Sequence, residues 1–301
     1  MGAGSPELTG SGGDRTIPLS ADELPAAYGG PGYSAPAGPG YYGPPRYGQG
    51  PRRPRRRRRG VRLLRRAAAA IVALVLLGMM AFGGLLLVTP SAGNAQQLAR
   101  AQDEAHRVAY PGPPVPARFA DALIATEDHR FYSEPGIDLF AVARVGLSYA
   151  TGHGDQGGAT LYQQLAKLLY TQGRSGASVE AEQVALAVKL YLTYSKQQIL
   201  QMYADVAYFG NGYYGLAAAS CGYFGVPPAG LSWPQAALMA GLVQGPTEDD
   251  PLTNPGNARA REEHVIGRLV ATGKLTQAQA SAALAAPVSS LVAAAGQGCS
   301  G

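Results

Sequence analysis

Between Ala67 and Val88 the chain carries no charged residue, and just before this stretch lie Arg52, Arg53, Arg55 to Arg59, Arg62, Arg65 and Arg66. Twenty-two residues of helix at 1.5 Å each span roughly 33 Å, enough for a ~30 Å hydrocarbon core. The arginines predict a cytoplasmic N-terminus, and Thr89-Pro90 ends the helix on the far side. A cleaved secretory signal is the rival reading, with Gly93-Asn94-Ala95 as the cleavage site. Its apolar region would be too long and would begin too late in the chain. A single-pass anchor with an extracytoplasmic domain is the expectation.

Charge divides the chain in the same place. The net charge is +5, but residues 1–66 hold 12 Arg against 4 acidic residues, while residues 89–301 hold 13 Lys and Arg against 16 acidic residues. The basic excess is one run beside an apolar segment, which suits a membrane surface and not a nucleic acid. Residues 1–60 are rich in Gly, Pro, Ser and Tyr without helical or strand period. Such a segment cannot bury enough apolar area to offset its ordering entropy, so a disordered cytoplasmic tail is expected. The two cysteines, Cys221 and Cys299, lack metal-site or redox-motif spacing. Outside the cytoplasm they are free to pair, or Cys221 is a small buried hydrophobe; the sequence leaves this open.

Residues 89–115 read as a juxtamembrane spacer: a polar, Ala-rich helix over Ala95 to Arg107, then Tyr110-Pro-Gly-Pro-Pro-Val-Pro as an extended segment. The folded domain is expected from Pro116 to about residue 290, with a flexible tail over 291–301. Its pattern is helical. Ser195-x-x-Gln198, Ser232-x-x-Gln235 and Thr276-x-x-Gln279 are capping boxes that open helices. Val184 to Tyr194 is apolar nearly all round, as a central buried helix would be. Gly146 to Gly157 reads as a loop able to move over a cleft.

Glu127 closes an apolar run in which Phe119, Ala122, Leu123 and Thr126 share one face. A carboxylate at the lip of a core is suited to proton transfer, although a terminal Glu also serves as a solvated cap. Gly157-Gly158-Ala159-Thr160 comes next, and two glycines let backbone approach a ligand. Thr160 then opens a helix carrying Gln163, Gln164 and Lys167, a set able to bind phosphate or sugar.

Glu127-Asp128-x-x-Phe131, then Gly136-x-Asp138, then Gly157-Gly158-x-Thr160-x-x-Gln163-Gln164-x-x-Lys167 resembles the family 51 peptidoglycan glycosyltransferases. These include monofunctional transglycosylases and the glycan-polymerising domain of class A penicillin-binding proteins. The likeness continues through Ser195-Lys196-x-x-Ile199-Leu200-x-x-Tyr203, Gly210-x-Gly212-x-x-Gly215 and Tyr223-Phe224-Gly225. It ends in Ala236-Ala237-Leu238-x-Ala240-Gly241-Leu242, Pro246, Asn254-Pro255 and Arg261, covering about 170 residues. The resemblance implies a mainly α, lysozyme-like helical domain behind the transmembrane helix. Its substrate would be a lipid-linked disaccharide-pentapeptide, with transpeptidases and other cell-wall enzymes as partners and no nucleic acid. Glu127 would be the general base. Lys167, Gln163, Gln164, Thr160, Gly157 and Gly158 would hold substrate, with Asp128 orienting Glu127 and Arg144 matching a family arginine. A divalent cation (Mg or Mn) assisting the pyrophosphate is left open.

Several positions depart from the family pattern. Glu134 stands for His, Ala159 for Ser, Tyr162 for Thr and Asp205 for Asn. In the third motif, Arg-Lys-x-x-Glu, Gln183 takes the place of the second catalytic carboxylate and Glu180 that of the lysine. Glu182 is one residue away, but one residue turns it about 100° round a helix. This leaves two readings: a divergent but active glycosyltransferase, or a weakened relative that binds lipid-linked precursor or cell-wall enzymes as a scaffold. A lysozyme-like hydrolase using Glu127 as acid is a third and less favoured one.

Overall fold

The computed structural model describes residues 56–136, 159–292 and Cys299, together with Gly40, Gly43 and Gly48. Most of the expected disordered tail, the 146–157 loop and the candidate residues Arg144, Gly157 and Gly158 lie outside this description. Met1–Arg59 and Gly60–Gly301 separate as two units, and the second holds the folded domain.

The described residues are mainly helical, with no strand and a single isolated bridge between Tyr208 and Tyr214. Helix α1 spans Arg56–Val88, and its Gly60–Val88 portion is the one described helix long and apolar enough to cross a membrane. Its large apolar side chains, among them Ile71, Leu74 and Met79, are exposed. A helix apolar all round and unburied by protein has lipid as its natural surroundings.

Residues 89–115, expected as a juxtamembrane spacer, are bonded to the helices that follow. Lys189 donates to the Thr89 carbonyl at 2.7 Å and to the Pro90 carbonyl at 2.9 Å. Tyr194 donates to the Gly93 carbonyl and Tyr170 to Asn94 Oδ1, each at 3.0 Å. Helix α2 (Ala95–Ala105) buries Ala95, Ala99 and Asp103. Methyl side chains four residues apart form a smooth stripe on which a neighbouring helix can lie closely. That stripe looked merely polar and Ala-rich in sequence. The Pro-rich strap beyond is also tied down: Gln201 accepts from Val115 N–H at 3.3 Å and donates to the Pro113 carbonyl at 3.2 Å.

Helix α3 (Ala117–Glu127) buries Phe119, Ala122 and Leu123 as the periodicity predicts. After the undescribed segment come α4 (Leu161–Ala166) and one π turn, Lys167–Thr171. Next are α5 (Ala177–Thr193), α6 (Lys196–Val206) and α7 (Leu216–Phe224). The three predicted capping boxes are formed at α6, at α8 (Trp233–Leu242) and at α10 (Gln277–Ala283). A fourth, Thr160 with Gln163, opens α4. Helix α5 is central over Ala185 to Leu190, but its end is not buried: Leu192 is 74% exposed.

Helix α8, buried from Ala236 to Leu242, is enclosed by α3 and by α9 (Pro255–Ala271). Gly241 permits this closeness, because a Cβ there would meet Arg261 Cγ at 2.6 Å. Its lack of a side chain lets Arg261 cross α8 and reach the α3 terminus. Helix α11 (Val288–Leu291) comes after α10. Cys221 on α7 is bonded to Cys299, which settles the pairing that the sequence left open.

Candidate active site

A cavity of about 820 Å³ opens where α3, α4, α5, α6 and α9 meet. Glu127 reaches it because α3 ends there, and its side chain is 11% exposed. Glu127 Oε2 accepts from Gln164 Nε2 at 3.0 Å, and Oε1 lies 3.5 Å from Arg261 Nη2. Gln164 Oε1 in turn accepts the Tyr203 hydroxyl at 2.7 Å. Burial, and then the Glu127 charge, push the Tyr203 phenol well above its usual range, so it stays a donor. A chain of groups from three helices thus fixes the Glu127 carboxylate.

Asp128 links α3 to α4. It is buried, and Oδ2 accepts the Leu161 N–H at 3.0 Å, one of the free donors of the first turn of α4. Thr160 is buried too, donating to the Gly136 carbonyl at 3.0 Å and accepting from Gln163 N–H at 3.2 Å. Gly136 needs its φ of +77°, and a Cβ there would meet the Ala187 carbonyl at 2.8 Å. These contacts join the end of α3 to the start of α4, which places Glu127 beside Gln164. Asp128 and Thr160 are therefore braces, whereas Gln163, Gln164 and Lys167 line the cavity. Lys167 is exposed and forms no ion pair among the described residues.

Gln183 also lines the cavity, and its amide donates to Thr171 Oγ1 at 2.8 Å. Glu180 is exposed and absent from the cavity wall. Glu182 is turned toward Arg174, 2.9 Å away, so it does not stand in for the missing carboxylate. Tyr162, where the family pattern has Thr, is fully buried and stacked on Phe131 with centroids 5.4 Å apart. Lys196 sits among the rings of Phe131, Tyr162 and Tyr191, 5.0 to 5.3 Å from each centroid. Its ammonium donates to the Phe131 carbonyl and, at 2.9 Å, to that of Glu134. The larger Tyr162 completes this cage.

Among the wall residues that the sequence-derived site lacked are Arg261, Tyr203 and His264. Arg261 also donates to Gln244 and lies 4.0 Å from Asp249. His264 is one turn further along α9. Burial, then Arg261 and Arg268, press its imidazole below the usual range. Tyr203 and Arg261 already stood within the family pattern, and the i, i+3 spacing of Arg261 and His264 was the signal for His264. Among the described residues no three His, Cys, Asp or Glu side chains converge as a metal site. Glu127, the one carboxylate among the described wall residues, is already held by an amide and a guanidinium. These residues do not make a resident metal site.

The transglycosylase family profile matches residues 94–270. The chain belongs to that family. Penicillin-binding protein 2a of Streptococcus pneumoniae serotype 2 (strain D39 / NCTC 7466) is 40% identical over 159 residues, 53% of this chain and 21% of that protein. Penicillin-binding protein 1A of Mycobacterium tuberculosis is 37% identical over 166 residues, 54% of this chain and 20% of the relative. A Cupriavidus necator protein carrying the transglycosylase name is 30% identical over 174 residues, 58% of this chain and 75% of its own. The match thus spans about a fifth of each of these penicillin-binding proteins. The transglycosylase match starts inside the 3-10 turn before α2, in keeping with the packing of α2 into the domain.

Proposed function

We propose that this transglycosylase is a membrane-anchored peptidoglycan glycosyltransferase. It polymerises a lipid-linked disaccharide-pentapeptide into glycan strands, with inversion and release of polyprenyl pyrophosphate. The observation that carries the reading is Glu127, held on a large open cavity by Gln164 and Arg261, with Lys167 on the same wall and without an ion pair among the described residues. Glu127 takes the proton from the acceptor sugar hydroxyl as that oxygen attacks the anomeric carbon of the donor. The bond to the pyrophosphate oxygen breaks, and the leaving group departs as an anion. Lys167 and Arg261 offset the charge that grows on it. Glu127 relies on its neighbours for geometry: the Gln164 amide sets one oxygen, leaving the other between Arg261 and the cavity.

Gln183 favours a second reading. An amide bonded to Thr171 cannot take or give a proton as a carboxylate would. In this reading the chain binds lipid-linked precursor or cell-wall enzymes without turning substrate over. Purified full-length protein, supplied with lipid-linked disaccharide-pentapeptide, decides between them. Polymer from wild type and none from Glu127→Gln supports the enzyme. Precursor binding without polymer from either supports the scaffold. The arginine run further implies a cytoplasmic N-terminus, so protease added to intact protoplasts should digest the domain and spare residues 1–66. Protection of the domain would reverse that orientation.

A further inference from the structure

Helix α2 and the strap after it rest on α6 around two buried carboxylates. Asp103 on α2 is 1% exposed and Asp205 on α6 is 5% exposed. Oδ2 of each is buried without a hydrogen-bond partner. Asp205 Oδ1 accepts from Gln201 Nε2 at 2.9 Å. Gly112 of the strap lies against the same oxygen, where a Cβ would come within 2.6 Å.

No cation among the described residues offsets these charges. Arg100 on α2, Arg107 just beyond it, Lys196 on α6 and Lys167 on the π turn form no ion pair with either carboxylate. Arg100 instead lies over the Tyr110 ring, 5.6 Å from its centroid. Of the other titratable neighbours, Glu104 adds negative charge, and His106 is stacked flat on Tyr214 with centroids 3.4 Å apart. The Tyr170 and Tyr194 hydroxyls are bonded to residues 93 and 94, and that of Tyr203 to Gln164. A divalent metal would need about six or more oxygens, and among the described residues no third acidic, His or Cys side chain joins the pair. Two ionised carboxylates buried together without a counter-charge are strongly unfavourable.

We propose that Asp103 and Asp205 are each held protonated in the closed form, and that together they make a pH-sensitive clasp holding the juxtamembrane strap on α6. Burial, then the nearby Asp205, push Asp103 up to about 7. Burial pushes Asp205 up to about 6, against the lowering effect of Gln201 and the Gly112 backbone. In an opened strap both return to the ordinary carboxylate value of about 3.9. The closed form therefore binds more protons than the open form between roughly pH 4 and pH 7. The clasp is tight in acid and loosens as pH rises through about 6 to 7. Each extra bound proton makes opening about tenfold easier per pH unit in that window, with a plateau above it. Gln201, bonded to Asp205, also lines a pocket of about 540 Å³. The strap leads directly into α3, the helix that ends at Glu127.

Hydrogen exchange of the full-length protein in lipid nanodiscs from pH 5 to pH 8 tests this, with rates divided by intrinsic rates at each pH. Amides of α2 and the strap should lose about tenfold or more protection per unit between pH 5 and pH 7 and level off above. Amides of α8 should not change in step. Asp103→Asn with Asp205→Asn should remove the slope. Asp205→Asn or Asp103→Asn alone should each remove only the part of the slope that its own proton supplies, and they serve if the double variant does not fold. Protection independent of pH in wild type, a slope surviving in the double variant, or one undiminished in both single variants would overturn the clasp. Protection restored at pH 8 by millimolar calcium or magnesium, in wild type but not in the variants, would also overturn it, because the counter-charge would be a metal.

Discussion

Gln164 stands between Tyr203 and Glu127, taking the hydroxyl of one at 2.7 Å and giving its amide to the other at 3.0 Å. The amide cannot reverse its faces while the tyrosine donates, so the donor edge is locked toward the carboxylate. Tyr203→Phe unlocks it. The buried hydroxyl is worth about 1 kcal/mol of stability. A loss of orientation at the base should lower polymerisation roughly tenfold, with substrate affinity little changed. Steady-state rates against precursor concentration check the division. An unchanged kcat would mean that Glu127 is held well enough by Arg261 alone.

The third motif offers a gain-of-function test. Gln183→Glu with Glu180→Lys should raise polymerisation by the equivalent of about 1 to 3 kcal/mol in barrier. Gln183 supplies most of this, because it lines the cavity while Glu180 does not. Glu180 also lies in the first turn of α5, where an acid complements the helix dipole. Its change to Lys should therefore cost about 0.3–1 kcal/mol of stability. No gain from Gln183→Glu in a folded protein that still binds precursor would favour the scaffold reading.

Lys196→Met removes the ammonium that fastens the carbonyls of Phe131 and Glu134 inside three aromatic rings. Two charge-assisted hydrogen bonds and the ring contacts together should cost about 2–4 kcal/mol. Thermal unfolding measures this. Exchange protection of residues 129–136 should fall before that of α8.

Reduction of the Cys221–Cys299 bond frees a loop of 78 residues in sequence separation. Chain-entropy arguments place the loss at roughly 4 kcal/mol, with typical values of 2–4 kcal/mol. Thermal unfolding with and without reductant, and in Cys299→Ser, should show matching falls. A transition indifferent to reductant would mean that the bridge constrains little of the unfolded chain.

Local chemistry explains what the sequence disclosed. Ser195, Ser232 and Thr276 each cap a helix with a Gln three residues on, a bond made within one turn. Glu127, Gln164 and Lys167 were legible for a similar reason, since short motifs carry them. Arg261 reaches Glu127 across 134 residues of sequence, and only the packing of α9 through Gly241 onto α8 brings them together. Asp128 was expected to orient Glu127; its bond to the Leu161 amide, 33 residues away, is a link that no short motif discloses. The burial of α2 escaped notice because alanine has little hydropathy, and its small size counts only once a neighbouring helix is known.

Lys189 bonds the first two carbonyls after α1, while Gln183, on the same helix, faces the cavity. Six residues of helix separate them, roughly 9 Å of rise. The anchor and the cavity wall are thus two points on one rigid rod, with no slack between them. Whatever depth the bilayer gives to the end of α1, it gives to the cavity as well. Under the proposed function, each new link would therefore form at one height above the bilayer, with the product moving past it.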